Sequence, residues 1–114
     1  MIELLYAKIH RATVSDTNVD YEGSITISKN LIQAAGIFEY EKVTVVDVNN
    51  GNRFDTYVII TDIPNVICVN GAAAHLVQKG DKVIIMCYRS FDLEKSDRHL
   101  PIVIKVDLNN QIQG

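Results

Sequence analysis

The stretch KVTVVDVNNGNRFDTYVIIT, residues 42–61, decides how this chain folds. Two runs rich in β-branched and aromatic residues, Lys42 to Val48 and Arg53 to Thr61, flank Asn49-Asn50-Gly51. Such residues suit a pleated, half-buried backbone. Asn and Gly tolerate the left-handed conformations that a tight hairpin turn demands. The segment therefore reads as a β-hairpin, with Tyr57, Val58, Ile59 and Ile60 at the centre of its second arm.

Outward from the hairpin the same pattern repeats in short pieces. On the N-terminal side, Leu4 to Val14 reads as one bent strand or two, and Ser24 to Ile27 alternates polar with apolar as a half-buried strand does. Ser28 is placed as a helix N-cap, Lys29 to Ala35 as a short helix and Gly36 as its stop. On the C-terminal side, Val66 to Val69 is a short strand and Asn70 to His75 a small-residue turn or single helical turn. Gly80-Asp81 marks a turn before a strand from Lys82 to Tyr88, Asp92 to Arg98 suits one helical turn, and Ile102 to Val106 is a last strand. About seven strands with a few short helices predict a mainly β fold closed into a barrel, since closure removes the exposed edges of an open apolar sheet.

With 114 residues there is room for a single domain, 1–114. A chain of this size has a thin core, so association with copies of itself is expected. The apolar fraction, 47%, is too high for disorder, and the net charge of −3 leaves no electrostatic footprint for nucleic acid or an anionic membrane. The opening Met-Ile-Glu-Leu-Leu-Tyr lacks a basic n-region and a long apolar run, so neither a secretory signal nor a membrane span is expected. Cys68 and Cys87 sit inside apolar runs and read as buried, reduced thiols. His10, His75 and His99 have no paired metal-ligand spacing, so no metal is expected. These features together predict a cytoplasmic protein.

Three small constellations could carry chemistry, and each has an ordinary reading beside the chemical one. Tyr21-Glu22-Gly23-Ser24 is by default a turn feeding a strand. Chemically, a serine hydroxyl lies close to the preceding carbonyl, and Gly23 would let that peptide adopt conformations a side chain forbids. Asn50 to Tyr57 is by default a hairpin with a surface arginine. Chemically, Arg53 offers a fork for a carboxylate, while Thr56 and Tyr57 point to opposite faces of a regular strand. Both could serve one site only at an interface or a local irregularity. Val69-Asn70-Gly71-Ala72-Ala73-Ala74-His75 is by default a close-packed turn; chemically it is a backbone cradle, with Asn70 able to donate to an oxyanion.

In this order and spacing the three stretches resemble the pyruvoyl-dependent L-aspartate 1-decarboxylases. So do Ala7-Lys8-Ile9-His10-Arg11, Leu31 to Ile37 and Gly80 to Ile85; the likeness covers roughly residues 4 to 87 and fades beyond Met86. The resemblance implies a six- to seven-stranded double-psi β-barrel, assembled as a homotetramer with sites between subunits. It implies self-cleavage between Gly23 and Ser24, giving a short N-terminal β chain and a longer α chain that begins with a covalent pyruvoyl group made from Ser24. That ketone would form a Schiff base with L-aspartate, which leaves as β-alanine and CO2 for pantothenate and coenzyme A synthesis. No metal and no pyridoxal phosphate is implied.

The resemblance also assigns roles. Tyr57 is similar to the family's proton donor. Arg53 and Lys8 are similar to groups that hold substrate carboxylate, and Ala72, Ala73 and Ala74 to the substrate-contacting turn. Thr56 corresponds to a residue that binds substrate and assists cleavage at Gly23, with Asn70 a second processing residue. Whether cleavage is spontaneous or needs a maturation factor stays open. The alternatives are a barrel that only binds or assembles, a small DNA-binding regulator (which the acidic balance disfavours), and a pyruvoyl decarboxylase for another amino acid.

Overall fold

The computed structural model describes residues 1–113. It is mainly β: eight strands in one sheet and three short helical segments. The strands are β1 (Ile2–Thr13), β2 (Asp16–Asn18), β3 (Ser24–Ser28), β4 (Lys42–Asp47), β5 (Arg53–Thr61), β6 (Ile67–Asn70), β7 (Lys82–Phe91) and β8 (Ile102–Lys105). The helical segments are α1 (Lys29–Ala35), a 3-10 turn (Gly71–Leu76) and α2 (Leu93–Ser96).

The sheet order is β2-β6-β3-β5-β4-β7-β1-β8. Its connectivity forces it to roll up. β1 lies near one end of the order and β2 at the other, yet only Val14 and Ser15 separate them in sequence. Three Cα steps span at most about 11 Å, so the two ends of the sheet must meet. Val14 N–H donates to Asp81 O (2.9 Å), just before β7, and Ser15 N–H to Ile67 O (2.8 Å) in β6. The buried Asn110 pins the same seam: its Oδ1 accepts from Thr13 N–H (2.7 Å) and its Nδ2 donates to Thr13 O (2.8 Å).

Strand alternation puts one set of side chains inside. Ala7, Ile9, Ile25, Ile27, Val45, Val58, Ile67, Val69, Val83 and Ile85 are fully buried in one core cluster, and α1 closes it with Leu31, Ile32 and Ala35. Residues between these in sequence, such as Lys8, Ser24, Thr26, Tyr57 and Asn70, therefore belong to the outer face of the sheet.

Several local expectations need correction. There are eight strands rather than six or seven. The extra one, β2, is the three-residue Asp-Thr-Asn, which has no apolar pattern and forms only because β6 pairs with it in parallel. In the hairpin turn only Gly51 is left-handed (φ +77°), because Asp47 Oδ1 accepts from the N–H groups of Asn49 and Asn50 and holds them otherwise. Ser28 does occupy the N-cap position, but its hydroxyl donates to Ile63 O (2.7 Å) and accepts from Val66 N–H instead of capping α1. The long-range partner wins because Ser28 is buried against that loop. β1 carries a bulge between Ile9 and Ala12, where Arg11 takes a left-handed conformation (φ +61°).

Candidate active site

The site grows from the first residue of β3. Ser24 stands opposite Asn70, the last residue of β6, in antiparallel register. Both are buried. Asn70 Nδ2 donates to Ser24 Oγ (3.0 Å) and to Thr26 Oγ1 (2.9 Å). Ser24 Oγ in turn donates to Glu22 O (3.0 Å), and Cys68 Sγ donates to Asn70 Oδ1 (3.3 Å). Burial raises the Cys68 thiol, with the Asp16 charge adding to it, so the sulfur stays protonated and can serve as that donor.

Immediately after Asn70, Gly71 adopts φ +75°. A Cβ built there would lie 2.5 Å from Gly23 Cα and 2.7 Å from Gly23 N. No side chain fits. Gly23 itself is exposed, has no left-handed φ, and a Cβ on it would meet nothing within 4 Å. The expectation that position 23 needs glycine to permit a forbidden backbone is therefore misplaced: the steric demand falls on Gly71, which presses on the Gly23–Ser24 segment from the other side.

β5 runs parallel to β3, with Ile25 beside Val58. One residue back, that register brings Ser24, the first residue of β3, level with Tyr57. The β4–β5 ladder runs unshifted from the Lys42–Tyr57 pair to the Val46–Arg53 pair, so alternation holds along β5. Phe54, Thr56 and Val58 share the core-facing side; Arg53, Asp55 and Tyr57 share the outer one. Thr56 and Tyr57 thus lie on opposite faces, as a regular strand requires. The half-buried Tyr57 ring is tilted against Tyr40 at 6.3 Å, beside the Ser24 end of the strand.

The 3-10 turn carries the alanines. It starts beside Ser24 and ends beside the hairpin, where Leu76 O accepts from both Asn50 Nδ2 and Asn52 Nδ2 (2.9 Å each). At about 2 Å per residue it covers ~10 Å. Ala72 is exposed on it, while Ala73 and Ala74 are half-buried. The turn therefore links the Ser24 end of β5 to the Arg53 end.

Arg53 is exposed, beside a cavity of about 350 Å³ also lined by Glu3, Lys42, Thr44, Asp55 and Tyr88. The Thr44 hydroxyl, donating at 2.7 Å, holds the Asp55 carboxyl below the usual carboxylate range, with Lys42 at 3.6 Å a lesser cause. Lys8 stands apart. It pairs with Met86 and Val103, and β7 and β4 lie between β1 and β5. Three strand spacings amount to roughly 14 Å. One chain thus gathers Gly23, Ser24, Tyr57, Asn70 and Ala72–Ala74 at one corner, with Thr56 turned to the other face of β5 and Arg53 at the far end of the turn, and does not bring Lys8 to them. A larger cavity of about 650 Å³ lies elsewhere, among His10, Arg11, Lys82 and Lys105.

Sequence reasoning missed Thr26, Cys68 and the specific role of Gly71. The first two look like ordinary strand residues, and only the β3–β6 pairing reveals what they touch. It also missed Asn50 and Asn52 as anchors of the alanine turn, since the carbonyl they bind, Leu76 O, is more than twenty residues away.

The family model described as aspartate decarboxylase matches residues 1–113. The chain is 54% identical over 113 residues to the aspartate 1-decarboxylase of Clostridium botulinum (strain 657 / Type Ba4), covering 98% of this chain and 89% of that protein. Against the aspartate 1-decarboxylase of Caldicellulosiruptor saccharolyticus it is 56% identical over 113 residues, covering 98% and 88%. Against that of Campylobacter jejuni (strain RM1221) it is 56% identical over 109 residues, covering 96% and 86%.

Proposed function

The chain belongs to the aspartate decarboxylase family, and from that premise we propose that it converts L-aspartate to β-alanine and CO2 with a pyruvoyl group made from its own Ser24. The observation that carries this reading is the buried Ser24 hydroxyl, held between Asn70 and Glu22, with Gly71 pressed against Gly23. An ordinary turn needs no such arrangement.

The maturation chemistry follows from those contacts. Ser24 Oγ adds to the Gly23 carbonyl carbon, the C–N bond breaks, and the nitrogen takes the hydroxyl proton; the amide becomes an ester. Thr56, to which the family resemblance gives this role, stabilises the oxyanion of that step. Loss of the Ser24 α-proton then breaks the Cβ–Oγ bond and releases the Gly23 carboxylate. The dehydroalanine left at position 24 takes up water and loses ammonia. The products are a β chain ending at Gly23 and an α chain beginning with the pyruvoyl group. The residues fit that group: it has the Ser24 backbone position, with the Asn70 amide within reach of its oxygen.

When present, the pyruvoyl ketone supplies an electron sink, so neither a metal nor pyridoxal phosphate is called for. The chain's own residues do the rest. Arg53 grips a substrate carboxylate at the hairpin end. Ala72, Ala73 and Ala74 line the path with apolar surface, where a second carboxylate is poorly solvated and gains by leaving as neutral CO2. Tyr57, level with Ser24 on the outer face, gives the proton. The position of Lys8, three strand spacings or roughly 14 Å from β5 within its own chain, supports a site shared between copies, and the family resemblance makes the assembly a homotetramer in which a neighbouring copy supplies it. We place the enzyme in the cytoplasm, feeding pantothenate and coenzyme A synthesis, with a maturation factor required only if the purified chain stays whole.

A denaturing intact-mass spectrum tests the reading. Two fragments are expected, 1–23 and one from position 24 that is lighter than a serine-started chain by one ammonia. A single full-length mass after prolonged warm incubation, alone and with a cell extract, would overturn it. Turnover of another amino acid in preference to L-aspartate would correct the substrate.

A further inference from the structure

The proposed cleavage needs a serine hydroxyl in a defined state, and that state depends on which end of the Asn70 amide faces it. The Ser24 proton is committed to Glu22 O at 3.0 Å, so Ser24 Oγ can only accept from residue 70. That requires Nδ2, and not Oδ1, on the Ser24 side. Two other contacts hold the amide in that pose. Cys68 points its S–H, a weak donor, at Oδ1 (3.3 Å), a contact that a flipped amide would lose. Thr26 Oγ1, a hydroxyl able to accept or to donate, takes the second Nδ2 hydrogen at 2.9 Å and so fixes where the amide lies. Turning the amide over would leave Oδ1 facing Ser24 Oγ, where it competes with Glu22 O for the serine proton.

Position and burial make the arrangement specific. Thr26 and Cys68 are a directly opposed pair on β3 and β6, two pairs along the ladder from Ser24 and Asn70 and so on the same face. All four side chains lie on the outer face of these strands, and Asn70 has no water-accessible alternative partner because it is buried. We infer that Thr26 and Cys68 are positioning residues for the self-cleavage: Thr26 fixes the place of the Asn70 amide, Cys68 its orientation, and the two together, through that amide, the Ser24 hydroxyl. This rests on the maturation reading above.

Cleavage kinetics of full-length chain, followed by intact mass after expression under conditions that yield precursor, test it. Cys68→Ala and Thr26→Val remove one contact each at little change in shape. Each should slow cleavage roughly five- to tenfold, the weight of one net hydrogen bond. Cys68→Ser and Thr26→Ser keep the donor and the acceptor and should restore the rate. That rescue separates amide positioning from mere packing, because Ser is no better than Ala or Val at filling space. Melting temperatures within a few degrees of wild type should accompany all four variants. Wild-type cleavage rates in Cys68→Ala and Thr26→Val would overturn the inference while leaving maturation intact, and so would slowing that the serine variants fail to rescue. A wild-type chain that never cleaves would remove the reading on which the inference stands.

Discussion

Asn70 Nδ2 sits 3.0 Å from Ser24 Oγ across an antiparallel pair, although 46 residues separate the two along the chain. That contact ties the alanine turn to the start of β3, because Asn70 is followed directly by Gly71. The backbone on one side of the pair presses on the peptide before Ser24, while the side chain on the other holds its hydroxyl. The chemistry proposed for position 24 therefore depends on the seating of β6 as much as on Ser24.

Gly71→Ala should damage the protein far more than Gly23→Ala. The added methyl would meet Gly23 at 2.5 Å in a left-handed backbone, whereas a methyl on Gly23 has open space. Overpacking and strain should cost about 2–4 kcal/mol, read as a fall in melting temperature of roughly 10 °C or more. Gly23→Ala should melt near wild type. Equal melting temperatures for the two would mean that the close approach at Gly71 is relieved without cost.

Tyr57→Phe should mature normally yet turn over poorly. The ring keeps its tilt against Tyr40, and no hydrogen bond of the buried Ser24–Asn70 network involves the phenol. Two cleaved fragments of the right mass are expected, with kcat for L-aspartate lower by roughly 100-fold or more. An unchanged kcat would rule Tyr57 out as the proton donor.

Glu41→Gln should lower stability at neutral pH by roughly 2 kcal/mol and flatten its acid limb. Glu41 accepts two hydrogen bonds from Arg89, at 2.7 and 2.8 Å, and Arg89 also donates to Gly36 O and stacks on Tyr6 at 3.6 Å. The Arg89 hydrogen bond holds the Glu41 carboxyl down at about 2. A lowered folded-state value gives stability that is fully present above the ordinary carboxylate range and is lost as pH falls toward 2. Urea midpoints from pH 7 to pH 2 would trace this loss in wild type, and the variant should lack it.

Asp47→Asn should act in the opposite sense. Asp47 is buried with Oδ2 unpartnered, and burial first, then the neighbouring Asp81 carboxyl, push its acid up. A raised folded-state value means that stability falls as pH climbs through the carboxylate range. Asn keeps the acceptor for Asn49 and Asn50 and turns a donor toward Asp81. A gain of about 1 kcal/mol at pH 7 is expected, with little difference near pH 3. A loss at pH 7 would show that the ionised carboxylate is required by a partner.

How much of this was legible beforehand varies by element. The hairpin of residues 42–61, α1 with its Gly36 stop and the final strands are local matters, and their patterns name them. β2 was invisible because three polar residues become a strand only when β6 offers them a partner. Ser28 takes the N-cap position that its sequence context names, but its hydroxyl does not cap the helix, because it is buried against the carbonyl of Ile63, a residue that no local window contains.

The amino-acid sequence by itself determined that the chain is mainly β and that its strands alternate faces, because residue type and spacing act through neighbours along the chain; Ser24, Tyr57, Arg53, Asn70 and the alanines became candidates through the ordered set of motifs that resembles the aspartate decarboxylases. Only the tertiary structure decided that Gly71 rather than Gly23 is sterically required, that Thr26 and Cys68 surround the Asn70 amide, and that Lys8 is held away from Ser24 by the intervening strands. Those are consequences of strand order and register, which bring distant residues within a few ångströms and are set by the packing of the whole sheet.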